Sequence, residues 1–123
     1  MKAYTDLEQS KKLAEILAIE SADMHYATWT ILNDEFIVSP NQGSTIKSLQ
    51  EDYGNQIIPC WSIAALLDVI NTNYYTTLYH DGVAWNIDII HHDNDKEKHN
   101  AYANTPIDAC VKMIIELHEQ KLL

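Results

Sequence analysis

Tyr74-Tyr75-Thr76-Thr77-Leu78-Tyr79-His80-Asp81-Gly82-Val83-Ala84-Trp85-Asn86-Ile87-Asp88-Ile89 is the stretch on which the fold reading turns. β-Branched and aromatic residues fill both arms, and Asp81-Gly82 between them is a strong two-residue turn signal. A turn there sets His80 opposite Val83. Leu78 then faces Trp85, Thr76 faces Ile87 and Tyr74 faces Ile89. Tyr79, Thr77 and Tyr75 fall on the other side, opposite Ala84, Asn86 and Asp88. One face is apolar and the other polar, the pattern of a sheet covered on one side.

Upstream, Pro59-Cys60-Trp61 reads as the start of a helix running to about Ile70, because proline is tolerated in a first turn. Ile63, Ala64, Ala65, Leu66, Leu67, Val69 and Ile70 surround that helix and Asp68 is its lone charge, so it is expected to be enclosed on all sides. Further back, residues 24–31 read as a strand with His25, Ala27, Trp29 and Ile31 on one face. Asn33-Asp34 is the expected turn, and Phe36-Ile37-Val38 the return strand, ended by Pro40. Residues 40–58 are polar, carry Gly43 and Gly54, and read as loop, with helix or function inside it as an open alternative.

At the ends of the chain, Thr5 with Glu8 reads as a capping box opening a helix that stops near Ala18. Residues 91–104 read as polar loop. Thr105-Pro106-Ile107-Asp108 then starts a last helix, with Ile107, Cys110, Val111, Ile114 and Leu117 as its buried stripe. These elements make one α+β domain over residues 1–123. The expected architecture is a four-stranded antiparallel sheet of two hairpins with three helices, in the order αββαββα.

Four segments carry a resemblance: residues 4–17 (Tyr4 to Leu17), 20–24 (Glu20-Ser21-Ala22-Asp23-Met24), 60–70 (Cys60-Trp61-Ser62 to Ile70) and 108–114 (Asp108-Ala109-Cys110 to Ile114). They resemble short acidic proteins encoded in prophages and other mobile elements of gut anaerobic bacteria. The resemblance spans most of the chain except the stretches 40–58 and 91–104. It implies a genomic setting and supplies no site residues.

Eighteen acidic residues face eight lysines with no arginine, for a net charge of −10. A nucleic-acid binder needs a basic footprint and arginine forks, so direct DNA or RNA binding is not expected. Nor is an anionic membrane surface, and no apolar run approaches the ~20 residues of a span. The first residues lack the apolar stretch of a signal peptide, so a cytoplasmic location is expected. Cys60 and Cys110 belong to no CxxC pair and read as reduced, buried thiols.

No catalytic or ligand-binding motif stands out, but three constellations carry residue types with chemistry to offer. Cys60 in a first helical turn would have a lowered pKa, and His80 followed by Asn86 or Asp88 would complete the order of a cysteine hydrolase; a buried structural cysteine is the plainer reading. His91, His92 and His99, with Asp93 and Asp95, offer metal-ligand types, but adjacent residues ligate together with poor geometry, so a solvated loop is expected and no cofactor is implied. Tyr26, Tyr75 and Tyr79 on a polar sheet face would make a protein-binding surface, although tyrosine also favours strands for its own sake. His25 and His118 stand alone.

The reading is therefore a non-enzymatic accessory protein acting by protein–protein contact with an unknown partner. A homodimer is expected through the apolar central helix at Leu66 and Val69. The alternatives are a small cysteine hydrolase using Cys60 and His80, and an acidic nucleic-acid mimic inhibiting a host defence protein.

Overall fold

A computed structural model describes residues 2–27, 37–41 and 45–123. The expectations for Trp29, Ile31, the Asn33-Asp34 turn, Phe36 and Gly43 lie outside the described residues. The chain is α+β, but the four-stranded sheet with three helices is corrected: the described residues form four α-helices and two separate three-stranded antiparallel sheets. The order is α1 (Leu7–Ile16), β1 (Met24–Ala27), β2 (Ile37–Pro40), α2 (Ile46–Tyr53), β3 (Ile57–Cys60), α3 (Ile63–Asn71), β4 (Tyr74–His80), β5 (Trp85–His91), β6 (Lys98–Ala103) and α4 (Pro106–Glu119). Single 3-10 turns occur at Ile19–Ser21 and Gly54–Gln56. No described helix is long and apolar enough to cross a membrane.

The chain divides into two units, Tyr4–Ser62 and Ile63–Leu123, the latter including the first residues of the chain. In the first unit β1 is central, with β2 and β3 antiparallel on either side. Its helix α1 begins one residue later than the Thr5–Glu8 pattern suggests. Asp6 is the cap: its carboxylate accepts the Gln9 N–H at 2.8 Å, and the Gln9 side chain accepts the Asp6 N–H at 3.1 Å. Thr5, released from capping, is buried and holds the start of the unit against the end of β3.

Two further readings in this unit change. The expected 40–58 loop contains α2, capped by Thr45, whose hydroxyl accepts the Ser48 N–H at 3.0 Å. The helix stops at Gly54, whose φ of 60° is left-handed backbone that glycine adopts without steric cost. Pro59 and Cys60 belong to a strand, not to the start of a helix, and α3 begins only at Ile63. Proline is tolerated there because β3 is an edge strand.

In the second unit β5 is central between β4 and β6. The hairpin forms, with a register two residues different from expectation: His80 faces Trp85, Leu78 faces Ile87, Thr76 faces Ile89 and Tyr74 faces His91. The cause is Asp81. Its carboxylate accepts the N–H groups of Val83 at 2.9 Å and Ala84 at 2.8 Å, so Gly82 and Val83 make the turn and Asp81 sits opposite Ala84. Gly82, with φ 97°, takes the position where hairpin turns favour glycine.

The expected 91–104 loop contains β6, which pairs along β5 from Trp85–Ala103 to Ile90–Lys98. Helices α3 and α4 pack against this sheet and each other. Helix α4 forms as its sequence directs, with Thr105 capping Asp108 at 3.1 Å and the Ile107, Cys110, Val111, Ile114 and Leu117 stripe buried. Ile87, Ile89, Met113 and Leu117 are fully buried, and each such side chain contributes roughly 1.5–3 kcal/mol. Lys2 pairs with Asp108 at 2.7 Å, the Nζ donating to the carboxylate near the start of α4. Helix α3 is not enclosed all round: Ala65, Leu66 and Ile70 are buried, while Ala64 and Asp68 are exposed.

Candidate functional site

Strand alternation sends β4, β5 and β6 side chains to two faces. Tyr74, Ile87, Ile89 and Ala101 go to the inner, buried one. The outer face is a three-by-three array fixed by the register: Tyr75, Ile90 and Lys98 in one row, Thr77, Asp88 and Asn100 in the next, Tyr79, Asn86 and Tyr102 in the third. Three of its corners are tyrosines, the fourth is the exposed Lys98, and Ile90 lies between Tyr75 and Lys98. Tyr75 is 66% exposed, Tyr102 59%, and Tyr79 and Ile90 are also exposed.

The centre of the array is polar and ordered. Asn86 is buried; its amide nitrogen donates to the Asp81 carboxylate at 2.8 Å and to the Ala84 carbonyl at 3.3 Å. Asn100 Nδ2 donates to Asn86 Oδ1 at 3.3 Å and to Asp88 Oδ1 at 2.6 Å. The Tyr79 pKa is raised, chiefly by the neighbouring Asp88 carboxylate. Asp81 is held below the usual carboxylate range by the Ala84 and Val83 N–H groups and by Asn86. A hydrogen-bonded chain thus runs from the Asp81 turn through Asn86 on β5 to Asn100 on β6 and holds Asp88 among the exposed Tyr75, Tyr79, Tyr102 and Ile90. A shallow depression of about 320 Å³ lies over β5 and β6, lined by Asp88, Ile90, Lys98 and Asn100. Lys112 stands 4.7 Å from the centre of the Tyr102 ring, a cation–π contact at the β6 edge.

The sequence candidates fall as follows. Tyr75 and Tyr79 lie on this face, and the sequence reading missed Tyr102 because residues 98–103 read as loop. Tyr26 does not join them: it belongs to the first unit, is half-buried, and donates its hydroxyl to the Thr5 carbonyl at 2.8 Å. Burial pushes its pKa up to about 12. Leu66 is fully buried and Val69 half-buried in α3, so Leu66 has no surface to offer a partner.

Cys60 ends β3 at 0% exposure. Its sulfur accepts the Thr5 hydroxyl at 3.6 Å and its thiol donates to the Thr5 carbonyl at 3.5 Å. Burial pushes its pKa up, the reverse of what an activated thiol needs. No helix start lowers it, because the helix begins at Ile63. His80 and Asp88 belong to the other unit and have structural partners there: His80 Nδ1 accepts the Gly82 N–H at 3.0 Å, and its ring meets Trp85 edge-on at 5.4 Å.

His91 and His92 sit on opposite faces, as neighbours in extended chain must. His91 meets the Tyr74 ring edge-on at 5.2 Å on the inner side, while His92 tilts against Tyr75 at 4.4 Å on the outer side. His99 points inward beside Glu97, with Nε2 and Oε2 3.9 Å apart. Among the described residues, no three histidine, cysteine or acidic groups converge on a point where a metal ion would sit. Burial, together with a hydrogen bond to Glu97, pushes the Tyr74 phenol up to about 12. Comparison with family models, curated proteins and solved structures finds no match.

Proposed function

We propose that the protein is a non-enzymatic accessory factor of a phage or other mobile element, and that it works by binding another protein through the outer face of β4, β5 and β6. One observation carries the reading: Tyr75, Tyr79, Tyr102 and Ile90 stand exposed around an immobilised Asp88–Asn100–Asn86 network. Aromatic side chains dominate binding energy at protein interfaces because they bury much area at little entropic cost. A carboxylate held in advance by its neighbours gives direction to the contact at no further ordering cost. The partner this face fits presents a lysine or arginine to Asp88 and an apolar rim to the tyrosines. A net charge of −10 steers such a basic surface toward it. The mobile-element setting rests on the resemblance of the four segments above. The buried, raised thiol of Cys60 lends no support to a hydrolase.

The test compares proteins retained from the native host by the wild-type chain, by Tyr75→Ser/Tyr102→Ser and by Asp88→Asn. Circular dichroism confirms the fold of each. The expected result is a basic protein retained by the wild type, lost with the double variant and weakened by about tenfold or more with Asp88→Asn, the range of a charge-assisted contact. Equal retention by all three, or none by the wild type, overturns the reading.

A further inference from the structure

The two sheets have four edge strands, and three of them are guarded. β2 ends at Pro40 and β3 contains Pro59. β6 carries Lys98, and the Lys112 Nζ donates to its outward-facing Tyr102 carbonyl at 3.4 Å. These are the devices by which proteins keep sheet edges from pairing with other chains. β4 has none of them. Tyr74-Tyr75-Thr76-Thr77-Leu78-Tyr79-His80 contains no proline, lysine, acidic residue or glycine, and among the described residues its outer edge pairs with no strand. A seven-residue edge of this composition is an open template for another strand.

The hydrogen-bond phase of the hairpin shows which groups face out. Asp81 N–H bonds the Ala84 carbonyl at 3.1 Å and His92 N–H bonds the Asn73 carbonyl at 3.0 Å. Antiparallel pairs alternate between bonded and non-bonded, so odd-numbered β4 residues spend their backbone groups on β5. Tyr74, Thr76, Leu78 and His80 turn theirs to the open edge. The strand is also symmetric about its midpoint, Thr77, with a tyrosine two residues away on either side.

We infer that this edge is the docking site of a second copy of the chain, joined by two-fold antiparallel pairing of β4 with β4 about Thr77. In that register Thr76 exchanges hydrogen bonds with the partner's Leu78, and Tyr74 with the partner's His80, so every outward backbone group of the strand is used. On the outer face Tyr75 meets the partner's Tyr79 on both sides of a Thr77–Thr77 pair. Aromatic–aromatic and Thr–Thr pairs are the cross-strand combinations that stabilise sheets. The symmetry is closed: the result is a six-stranded sheet whose two free ends are both the guarded β6, so pairing stops at two. This inference does not rest on what the outer face binds, although Tyr75 and Tyr79 belong both to that face and to the seam.

Position 77 tests it, because its side chain is exposed and lies on the two-fold axis. Cα atoms of a non-bonded antiparallel pair stand about 4.5 Å apart, within the range a disulfide spans. Thr77→Cys should therefore cross-link to a covalent dimer under mild oxidation, with Val83→Cys, on the exposed hairpin tip, as the control that does not. Cys60 and Cys110 are fully buried and do not compete. Thr77→Lys places two like charges face to face and should turn a dimer into a monomer by sedimentation across the micromolar range, with the circular dichroism of the wild type. A wild-type chain that is monomeric throughout that range overturns the inference. So does a dimer that survives Thr77→Lys and leaves Thr77→Cys uncross-linked, which would place the contact elsewhere.

Discussion

Replacing Thr5 by valine should destabilise the protein although it nearly preserves shape. Thr5 is fully buried, and its hydroxyl oxygen accepts the Trp61 N–H at 3.2 Å, shares a hydrogen with Ser10 Oγ at 2.8 Å and donates to Cys60 Sγ at 3.6 Å. Ser10 and Cys60 keep other contacts, but the Trp61 N–H has no second acceptor among these bonds, and Trp61 is itself fully buried. Leaving one buried donor unsatisfied costs about 1–3 kcal/mol. The added methyl recovers at most about 0.8 kcal/mol. A further loss comes from the severed Ser10 bond, roughly 1 kcal/mol, so Thr5→Val should cost about 2 kcal/mol. Thr5→Ser keeps the oxygen and gives up only the methyl, for about 1 kcal/mol. Urea titrations followed by tryptophan fluorescence, read as midpoint shifts at constant slope, compare the two. Serine being worse than valine would show that Thr5 acts by packing and that its hydrogen bonds carry no weight.

Ile87→Ala, in the fully buried centre of β5, should cost about 2–5 kcal/mol, and Trp85→Ala, half-buried against His80, should cost less; the same titrations give the order, and its reversal would put Trp85 in the core. Both thiols should resist alkylation until the protein opens, because burial raises the pKa of Cys60 and takes that of Cys110 to about 12; labelling of either in native buffer at the rate of a free thiol refutes this. Tyr26 and Tyr74 should ionise only near 12, against about 10 in the unfolded chain. The folded state then holds protons the unfolded state has released, so this contribution is whole below about pH 10 and is lost as pH rises toward 12; phenolate absorbance and urea midpoints that show no such decline would remove the shifts.

The parts of the fold legible in the sequence are those decided locally. Thr105, Pro106 and Asp108 specify the start of α4 by capping chemistry alone, and its apolar stripe follows from helical spacing. The parts that were not legible depend on a partner strand. Lys98 to Ala103 carries a single strand-favouring residue, Tyr102, and becomes β6 where Ala101 and Ala103 fit the inner face beside Ile87 and Trp85. Pro59 satisfies the rule for a helix start equally well as the rule for an edge strand, and only pairing with His25 on β1 decides between them. Thr5 and Asp6 are both good caps one residue apart; Gln9, reaching back to Asp6, selects the second and leaves Thr5 for the interior.

The candidate surface shows how one side chain propagates from turn to site. Asp81 lies one residue before the turn because its carboxylate binds the Val83 and Ala84 N–H groups. That moves the hairpin register by two, an even number, so every residue keeps its face while its neighbours across the strand change. Asp88 comes to face Thr77 instead of Tyr75, and takes the centre of the array. Asn86 comes within reach of the other Asp81 oxygen at 2.8 Å, which leaves its own Oδ1 for Asn100. Tyr75 and Tyr79 could be read from alternation alone. The ordered polar centre that makes them a surface with a direction could not, because it requires both the turn chosen by Asp81 and a third strand to supply Asn100 and Tyr102.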